Sequence, residues 1–187
     1  MSSHHIVREK QEPALYIQHF GDFDEERLGQ LLEWSPTLVV ATGAYEKAIS
    51  LGLKVDLVFG KDEDLNIQEN TKFIFSPSDS LPVVVKYLIA ENYPAVNIIS
   101  KEDKFDDLAD LLPDINIVLF TETTKSYAVK SGFSVWKPAG TLFKIDIISY
   151  FETSNIKQIE NGDFEVISDG FVSFNFTTSY LFLSEYL

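Results

Sequence analysis

The stretch ATGAYEKAISLGLKVDLVFGKDED, residues 41–64, carries the strongest fold signal in the sequence. It joins the end of one apolar run, TLVVATG, to a second apolar run, VDLVFG, through a short helix-like segment that ends at Gly52. Apolar runs of strand length on both sides of a helical segment are typical of parallel strands joined by a helix. Acidic residues and one lysine follow the second run, where ligands collect in open α/β sheets.

The same alternation continues on both sides of this stretch, as far as about residue 123. Strand-like segments are PALYIQHF, FIFS, AVNIIS and INIVLFT, and helix-like segments are DFDEERLGQLLEW, SDSLPVVVKYLIAENY and KFDDLADLL. Ser78 or Asp79 is the candidate N-cap of the second of these helices, and Phe105, Leu108, Leu111 and Leu112 recur at helical spacing in the third. We therefore predict an α/β domain over residues 1–123, with a mainly parallel sheet and flanking helices.

The sequence changes in character after residue 123. Short β-branched and aromatic segments with glycines near their ends replace the helical pattern, among them SYAVKSG, FSVWKPAG, TLFKIDIISYF and FVSFNFTTSYLFLSEYL. Such segments are typical of antiparallel β structure. We predict a small all-β, sandwich-like domain over residues 124–187.

The composition excludes several classes of function. A net charge of −14 argues against nucleic acid as a partner, since phosphate backbones are bound by clustered Lys and Arg. The sequence has no cysteine, which excludes disulfides, zinc–thiolate sites and cysteine nucleophiles. No run approaches the ~20 apolar residues of a membrane span, and the N-terminus has no signal-peptide core. We therefore expect a cytoplasmic protein without a membrane partner.

Residues 41–64 resemble the signature of the thiamine pyrophosphokinase family, roughly A-D-G-A-x-x-x-L-x-x-x-G-I-x-P-D-x-I-x-G-D-F-D-S. The two align without a gap, and the matching positions are Ala41, Gly43, Ala44, Gly52, Asp56 and Gly60. The order of an α/β domain and then a β-rich domain agrees over nearly the whole chain. The resemblance implies transfer of a pyrophosphoryl group from ATP to thiamine, Mg²⁺ held by carboxylates, and a homodimer.

The sequence departs from the family pattern at the positions that carry charge. Thr42 replaces the carboxylate of the A-D-G-A stretch, and Lys61 and Glu63 replace the two aspartates of the G-D-F-D-S stretch. Asp64 stands at the serine, and Asp62 at a position that is usually apolar. The acidic residues of this loop therefore stand at different positions from those that the family signature gives.

Two later family elements are also altered. The family's T-D-x-x-K-A resembles SDSLPV, which keeps Asp79 but has Pro82 in place of the lysine. The family's G-G-R-x-D-H falls near EDKFDD, where Asp106 would be the aspartate, Lys104 the arginine and Asp107 the histidine. The chain has no Gly-Gly pair, and no histidine follows His19.

The resemblance implies a specific set of site residues. The catalytic candidates are Asp62, Glu63, Asp79 and Asp106, and the Mg²⁺ candidates are Asp62, Asp64 and Asp79. The candidates for contact with the nucleotide or thiamine are Gly43, Gly60, Lys61, Trp136, Ser173 and Asn175. Structural alternatives exist for most of them: a solvated acidic turn at residues 62–64, a helix cap at Asp79, the outer face of a helix at Asp106, core packing at Trp136, and an ordinary strand at Ser173 and Asn175.

The positive charge of Lys61 determines the level of activity that we expect. A lysine in place of a Mg²⁺ ligand removes an attraction and adds a repulsion, each of several kcal/mol for an ion ~5 Å away at an effective dielectric constant of ~20. Lys61 could instead contact a phosphate oxygen directly. Because phosphoryl transfer depends on positioning and charge stabilisation, we expect weak or absent turnover. The alternatives are a non-catalytic ligand-binding or scaffold homodimer, and an enzyme that acts on another small hydroxyl substrate.

We expect Asp79 and Asp106 to lie within roughly 15 Å of the GKDED loop, measured between Cα atoms.

Overall fold

The computed structural model describes residues 12–61, 65–146 and 150–187. The chain divides into two compact units, of which the first ends at Ile117 and the second begins at Val118. The boundary predicted from the sequence, between residues 123 and 124, lies a little further along the chain.

The first unit contains parallel strands in the order β5-β1-β2-β3-β4. Their bounds are Ala14–Ile17 for β1, Leu38–Ala41 for β2, Leu57–Gly60 for β3, Lys72–Phe75 for β4 and Ala95–Ile99 for β5. Every residue of β1 and β2 is buried, which explains why these strands are continuous apolar runs in the sequence. β1 lies between β5 and β2 in the interior of the sheet, which is consistent with its complete burial.

Three α-helices connect the parallel strands: α1 (Glu25–Leu32), α2 (Thr42–Ser50) and α3 (Leu81–Ala90). The side chain of Asp24 caps α1 by accepting a hydrogen bond from the N–H of Arg27. The N-cap of α3 is Ser80, whose side chain makes no capping hydrogen bond. The prediction that Ser78 or Asp79 caps this helix is therefore wrong.

The segment KFDDLADLL does not form the predicted α-helix. It forms turns and a short 3₁₀ helix (Ala109–Leu111). Phe105, Leu108 and Leu112 are buried, as their spacing suggested, whereas Leu111 is half-buried. Pro113 has no N–H to donate, so it prevents a helix from extending beyond this segment. The reading of Asp106 as part of an outer helical face is wrong for the same reason.

Antiparallel strands build the second unit. Their bounds are Asn116–Phe120 for β6, which crosses the boundary between the units, then Thr124–Val129 for β7, Phe133–Lys137 for β8, Leu142–Asp146 for β9, Phe151–Ser154 for β10, Ile156–Gln158 for β11, Phe164–Val166 for β12, Gly170–Phe176 for β13 and Leu181–Tyr186 for β14. One sheet has the order β11-β12-β9-β14-β7-β6, and a separate three-stranded sheet has the order β10-β13-β8. The coarse prediction, parallel strands with helices followed by antiparallel strands, is confirmed.

Both sheets of the second unit contribute to its core. Phe143 on β9 and Leu183 on β14 are fully buried with Val172 and Phe174 on β13. The rings of Phe143 and Phe174 pack edge to face, with 6.4 Å between their centroids. One face of β13 therefore packs in the core.

None of the helices within the described residues combines the length and the apolar character that crossing a bilayer requires.

Candidate functional site

The order of the parallel strands defines one preferred place for a ligand. The chain moves outward from β1 through β2 and β3 to β4, and then returns to the other side of β1 to form β5. Where the winding reverses in this way, the loops after two neighbouring strands separate and leave a crevice outside their carboxyl ends. In this unit that place lies between β1 and β5.

A cavity of about 450 Å³ occupies this place, and we call it the β1/β5 crevice. Its lining comes from the residues after β1, the start of α3 and the residues after β5: Gln18, His19, Ser80, Leu81, Pro82, Ser100, Lys101, Glu102, Lys104, Asp106, Asp107 and Leu108. The volume falls in the range of roughly 300–1,000 Å³ that is usual for small-molecule sites. The crevice is therefore large enough for a small organic ligand.

Hydrogen bonds from β1 hold one wall of the crevice in place. The buried Tyr16 hydroxyl donates to the carbonyl of Asp79 at 3.0 Å, and the Gln18 side chain donates to the same carbonyl at 3.3 Å. Burial, and to a lesser degree the Asp79 carboxylate, raises the pKa of Tyr16. The hydroxyl therefore remains protonated and able to donate, which anchors the connection between β4 and α3 over β1.

A series of hydrogen bonds links the connection between β4 and α3 to the end of β3. The N–H of Ser76 donates to the carbonyl of Gly60 at 2.9 Å, and the Ser76 hydroxyl donates to the carbonyl of Ser78. The N–H of Ser80 in turn donates to the Ser78 hydroxyl at 3.2 Å. Asp79, which is exposed, directly precedes the crevice residue Ser80. The structure thus places Asp79 at the edge of the crevice that Asp106 lines.

Thr42 and Gly60 are in close contact at the ends of β2 and β3. A Cβ atom on Gly60 would lie 2.5 Å from Oγ1 of Thr42, and the φ angle of Gly60 is +157°. The short neutral side chain of Thr42 therefore lies directly against Gly60. Gly43, by contrast, has no atom within 4 Å of a Cβ position, and Lys61 is exposed.

The predicted Mg²⁺ site cannot be built from the described residues alone. Asp62, Glu63 and Asp64 lie outside the described residues. Within the described ranges, no group of three or more His, Asp or Glu side chains is arranged to hold a metal ion. Mg²⁺ requires near-octahedral oxygen ligands, so Asp79 and Asp106 do not by themselves fit it. Both the predicted metal ligands and the expected distance of Asp79 and Asp106 from the GKDED loop remain predictions.

The three predicted site residues of the second unit share one face of the three-stranded sheet. Ser173 and Asn175 are two residues apart on β13, and Trp136 on β8 lies opposite Phe171, the residue two before Ser173. Trp136 and Phe171 are 54% and 67% exposed. The alternative that Trp136 packs in the core is therefore wrong. We call the side chains of Trp136, Phe171, Ser173 and Asn175 the outer face of β13.

Polar neighbours extend the outer face of β13 on both sides. Ser173 lies opposite Ser134 on β8 and Ser154 on β10, and the hydroxyl oxygens of Ser154 and Ser173 are 2.7 Å apart. Glu152 lies opposite Asn175. These neighbours and Phe171 were not predicted as site residues, although the period-two alternation of FVSFNF indicates that Phe171, Ser173 and Asn175 point the same way.

Several polar residues of the crevice were not predicted from the sequence, among them Gln18, His19 and Lys101. Each follows a buried parallel strand within two residues, and the N–H groups of Gln18 and His19 both donate to the carbonyl of Ile99 at the end of β5. They could have been predicted from their position directly after apolar runs, since the residues that follow parallel strands meet at the carboxyl edge of the sheet.

Comparison with known proteins finds similarity in structure alone. No family model matches the sequence, and no curated protein does. The thiamin pyrophosphokinase from Geobacillus thermodenitrificans matches with a TM-score of 0.67 at 11% identity, over 93% of this chain and 96% of that chain. The enzyme from Bacillus subtilis matches with a TM-score of 0.65 at 11% identity, over 93% and 98%.

The yeast thiamin pyrophosphokinase matches with a TM-score of 0.62 at 9% identity, over 98% of this chain and 88% of that chain. The similarity thus extends over nearly the full length of all three proteins. At such low identities it establishes the architecture, and this chain has the fold of the thiamin pyrophosphokinases.

Proposed function

We propose that this protein binds a small phosphorylated or thiamine-like ligand in the β1/β5 crevice and transfers pyrophosphoryl groups weakly or not at all. The observation that carries the proposed loss of turnover is the contact between Thr42 and Gly60 at the ends of β2 and β3. A neutral side chain fills the place where the family resemblance implies a metal-binding carboxylate, and the cation Lys61 follows. The crevice itself supports ligand binding, because it lies at the reversal point of the sheet.

If the protein is an enzyme, its reaction would be ATP + thiamine → thiamine diphosphate + AMP. The proposed catalytic residues are Asp62, Glu63, Asp79 and Asp106, with Mg²⁺ on Asp62, Asp64 and Asp79. When bound, the metal would supply charge neutralisation for the phosphates. Gly43, Gly60 and Lys61 would lie beside the nucleotide, and the Tyr16 and Gln18 hydrogen bonds to Asp79 would hold that residue's backbone in place.

The second proposed role is a non-catalytic ligand-binding or scaffold homodimer. The outer face of β13 favours it, because two large aromatic side chains, Trp136 and Phe171, lie side by side in solvent. Exposed apolar patches of this kind mark binding surfaces. In a scaffold homodimer this face would contact the second copy. In a ligand-binding protein it would instead receive the thiamine-like ligand, with Trp136 against its cationic ring and Ser173 and Asn175 as hydrogen-bonding groups.

Thermal unfolding with and without ligands tests the proposal. Melting curves are recorded with ATP–Mg²⁺, with thiamine and with both, followed by an assay for AMP. A ligand at 100 times its Kd stabilises the folded state by about 2.7 kcal/mol. For a chain of this length that corresponds to a rise in Tm of roughly 5–10 °C. We expect such a rise without thiamine-dependent AMP.

A variant that carries carboxylates at positions 42 and 61 serves as the matched control for the loss of these charges. In Thr42→Asp/Lys61→Asp, the two positions carry the carboxylates that the resemblance implies. We expect this variant to release AMP faster than the parent protein, because it regains electrostatic stabilisation of the transferred group. Thiamine-dependent AMP from the parent at a rate typical of enzymes, about 1 s⁻¹ or more, would contradict the proposed loss of turnover. Absence of any ligand-dependent rise in Tm would contradict the binding role.

A further inference from the structure

We propose a further ligand site in the first unit, at the amino ends of the parallel strands, which binds a small organic cation of the ammonium type. A cavity of about 340 Å³ lies there, and we call it the amino-end pocket. It is lined by residues at the starts of β2, β3 and β4, by the C-terminal turn of α3 and by the loop that follows this helix. Its lining includes Thr37, Asp56, Lys72, Tyr87, Glu91 and Tyr93.

The amino-end pocket is separate from the β1/β5 crevice. The crevice lies at the carboxyl ends of the strands, and the two cavities share no lining residue. The inference therefore goes beyond the proposed function and does not depend on it.

Hydrogen bonding and ring packing within the protein hold the walls of this pocket in place. The buried Tyr93 donates its hydroxyl hydrogen to Oγ1 of Thr37 at 2.9 Å, which joins the loop after α3 to the start of β2. The ring of Tyr87 packs edge to face against Phe59 of β3, with 5.5 Å between the ring centroids. Because these walls are preformed, little loss of conformational entropy opposes the binding of a ligand.

The charged side chains that line the pocket favour a positive ligand. Two carboxylates, Asp56 and Glu91, and one ammonium group, Lys72, give these described lining residues a formal charge of −1. Oδ2 of Asp56 accepts a hydrogen bond from the N–H of Leu38 at 2.8 Å, whereas Oδ1 has no hydrogen-bond or salt-bridge partner among the described residues. This oxygen is therefore available to a cation.

The C-terminus of α3 adds to the preference for a cation. Tyr87 lies in the last turn of this ten-residue helix, and Glu91 is its C-cap. The C-terminal end of a helix carries a partial negative charge, and no basic side chain offsets it in this last turn, which the structure describes in full. An anionic ligand would be repelled here, and also by the chain as a whole, whose net charge is −14.

The tyrosine ring favours an organic cation over a metal ion. Among the described residues, no group of three or more His, Asp or Glu side chains is arranged to hold a metal. The half-buried Tyr87 instead gives the pocket an aromatic ring, whose face attracts an ammonium group. The volume lies near the lower end of the range of roughly 300–1,000 Å³ for small-molecule sites, which fits a compact ammonium compound.

Titration calorimetry on the full chain tests the inference, with choline and putrescine as cationic probes. The matched neutral probe is 3,3-dimethylbutan-1-ol, which has the shape of choline without its charge. We expect choline or putrescine to bind about tenfold or more tightly than this alcohol, because the attraction to the ring and the carboxylates depends on the charge. The binding should weaken as NaCl is added, since salt screens this attraction.

Substitutions locate the cation in the amino-end pocket. Asp56→Asn removes a charge and keeps an oxygen that can accept from the N–H of Leu38, and Tyr87→Leu removes the ring. Each is expected to weaken binding of the cation about tenfold. Lys72→Gln removes a positive charge from the lining and should strengthen the same binding about threefold. A role in stability alone would not produce these opposite effects.

The control is Glu102→Gln, which removes a carboxylate from the β1/β5 crevice and should leave binding of the cation unchanged. Circular dichroism melting verifies that each variant is folded. The inference is wrong if neither cation binds more tightly than the neutral alcohol, or if Lys72→Gln fails to strengthen the binding. Weaker binding in Glu102→Gln would place the cation in the crevice and would also overturn it. Each of these results leaves the proposed function standing, because that function is tested with ATP–Mg²⁺ and thiamine.

Discussion

At the scale of single residues, Gly60 connects the fold to the chemistry of the candidate site. It ends β3, accepts a hydrogen bond from the N–H of Ser76, and leaves room for the side chain of Thr42. Asp56, another position matched in the family signature, has a structural contact: its carboxylate accepts a hydrogen bond from the N–H of Leu38 at 2.8 Å. Both residues shape the sheet, so their presence alone does not indicate activity.

We predict that Gly60→Ala destabilises the protein by about 1–3 kcal/mol, because the new methyl group would clash with Thr42 and the φ angle of +157° is unfavourable for alanine. Chemical denaturation measures the change. Gly43→Ala is the control, since it adds a methyl group to helix α2 with nothing within 4 Å. Gly60→Ala/Thr42→Ala should recover part of the loss. No recovery would mean that the clash is not the cause.

Two tyrosines, the buried Tyr16 and the half-buried Tyr127, make the stability depend on alkaline pH. Burial raises the pKa of Tyr16 and of Tyr127, with smaller contributions from the carboxylates of Asp79 and Glu185. In the unfolded chain a tyrosine titrates near pH 10. Between that pH and the higher folded-state pKa, the folded protein retains protons that the unfolded chain releases. The stabilisation is therefore complete below about pH 10 and is lost as the pH rises further.

We predict that Tyr16→Phe/Tyr127→Phe reduces the loss of unfolding free energy between about pH 10 and pH 11, because phenylalanine has no proton to lose. Urea denaturation at a series of pH values gives the slope. The variant should also lose about 1 kcal/mol at neutral pH with the hydrogen bond from Tyr16 to Asp79. Tyr150→Phe, at a residue that is 79% exposed, is the control. An unchanged slope in the double variant would contradict the assignment.

At the scale of elements, β13 has two faces with different roles. Phe174 is fully buried between the rings of Phe143 and Phe151, with both centroid distances at 6.4 Å, whereas Phe171 is 67% exposed on the other face. We predict a loss of about 3–5 kcal/mol for Phe174→Ala. For Phe171→Ala, which removes a cross-strand pair with Trp136, we predict less than about 1 kcal/mol. Equal losses in urea denaturation would contradict this division of the strand.

The elements also show what the sequence could and could not predict. The parallel strands were predictable because strands buried on both faces must be apolar throughout. The segment from Phe105 to Leu112 was mispredicted because residues three apart align in both an α-helix and a 3₁₀ helix, so spacing cannot separate them. The crevice was only partly predictable, since Gln18, His19 and Lys101 belong to no motif and are brought together by the strand order.

At the scale of the whole molecule, charge and exposed aromatic surface act against each other in self-association. Each chain carries a net charge of −14, so two copies repel, and this repulsion is strongest at low ionic strength. A homodimer must therefore gain enough from apolar contact to offset it. A stable interface buries about 800 Å² on each partner, and burial of exposed aromatic side chains contributes much of its energy. The outer face of β13 offers Trp136 and Phe171 for this purpose.

We predict that the protein sediments at twice the mass of its 21.2 kDa chain in about 0.15 M salt, and that the dimer weakens as the salt is lowered. Trp136→Ser/Phe171→Ser should be monomeric while remaining folded, because it removes the apolar centre of the face without touching the core on the other side of β13. Trp34→Ser, which replaces an aromatic residue that is 71% exposed in the first unit, should remain dimeric. A dimer that survives the double substitution would place the interface elsewhere, and a monomeric parent protein would exclude the homodimer.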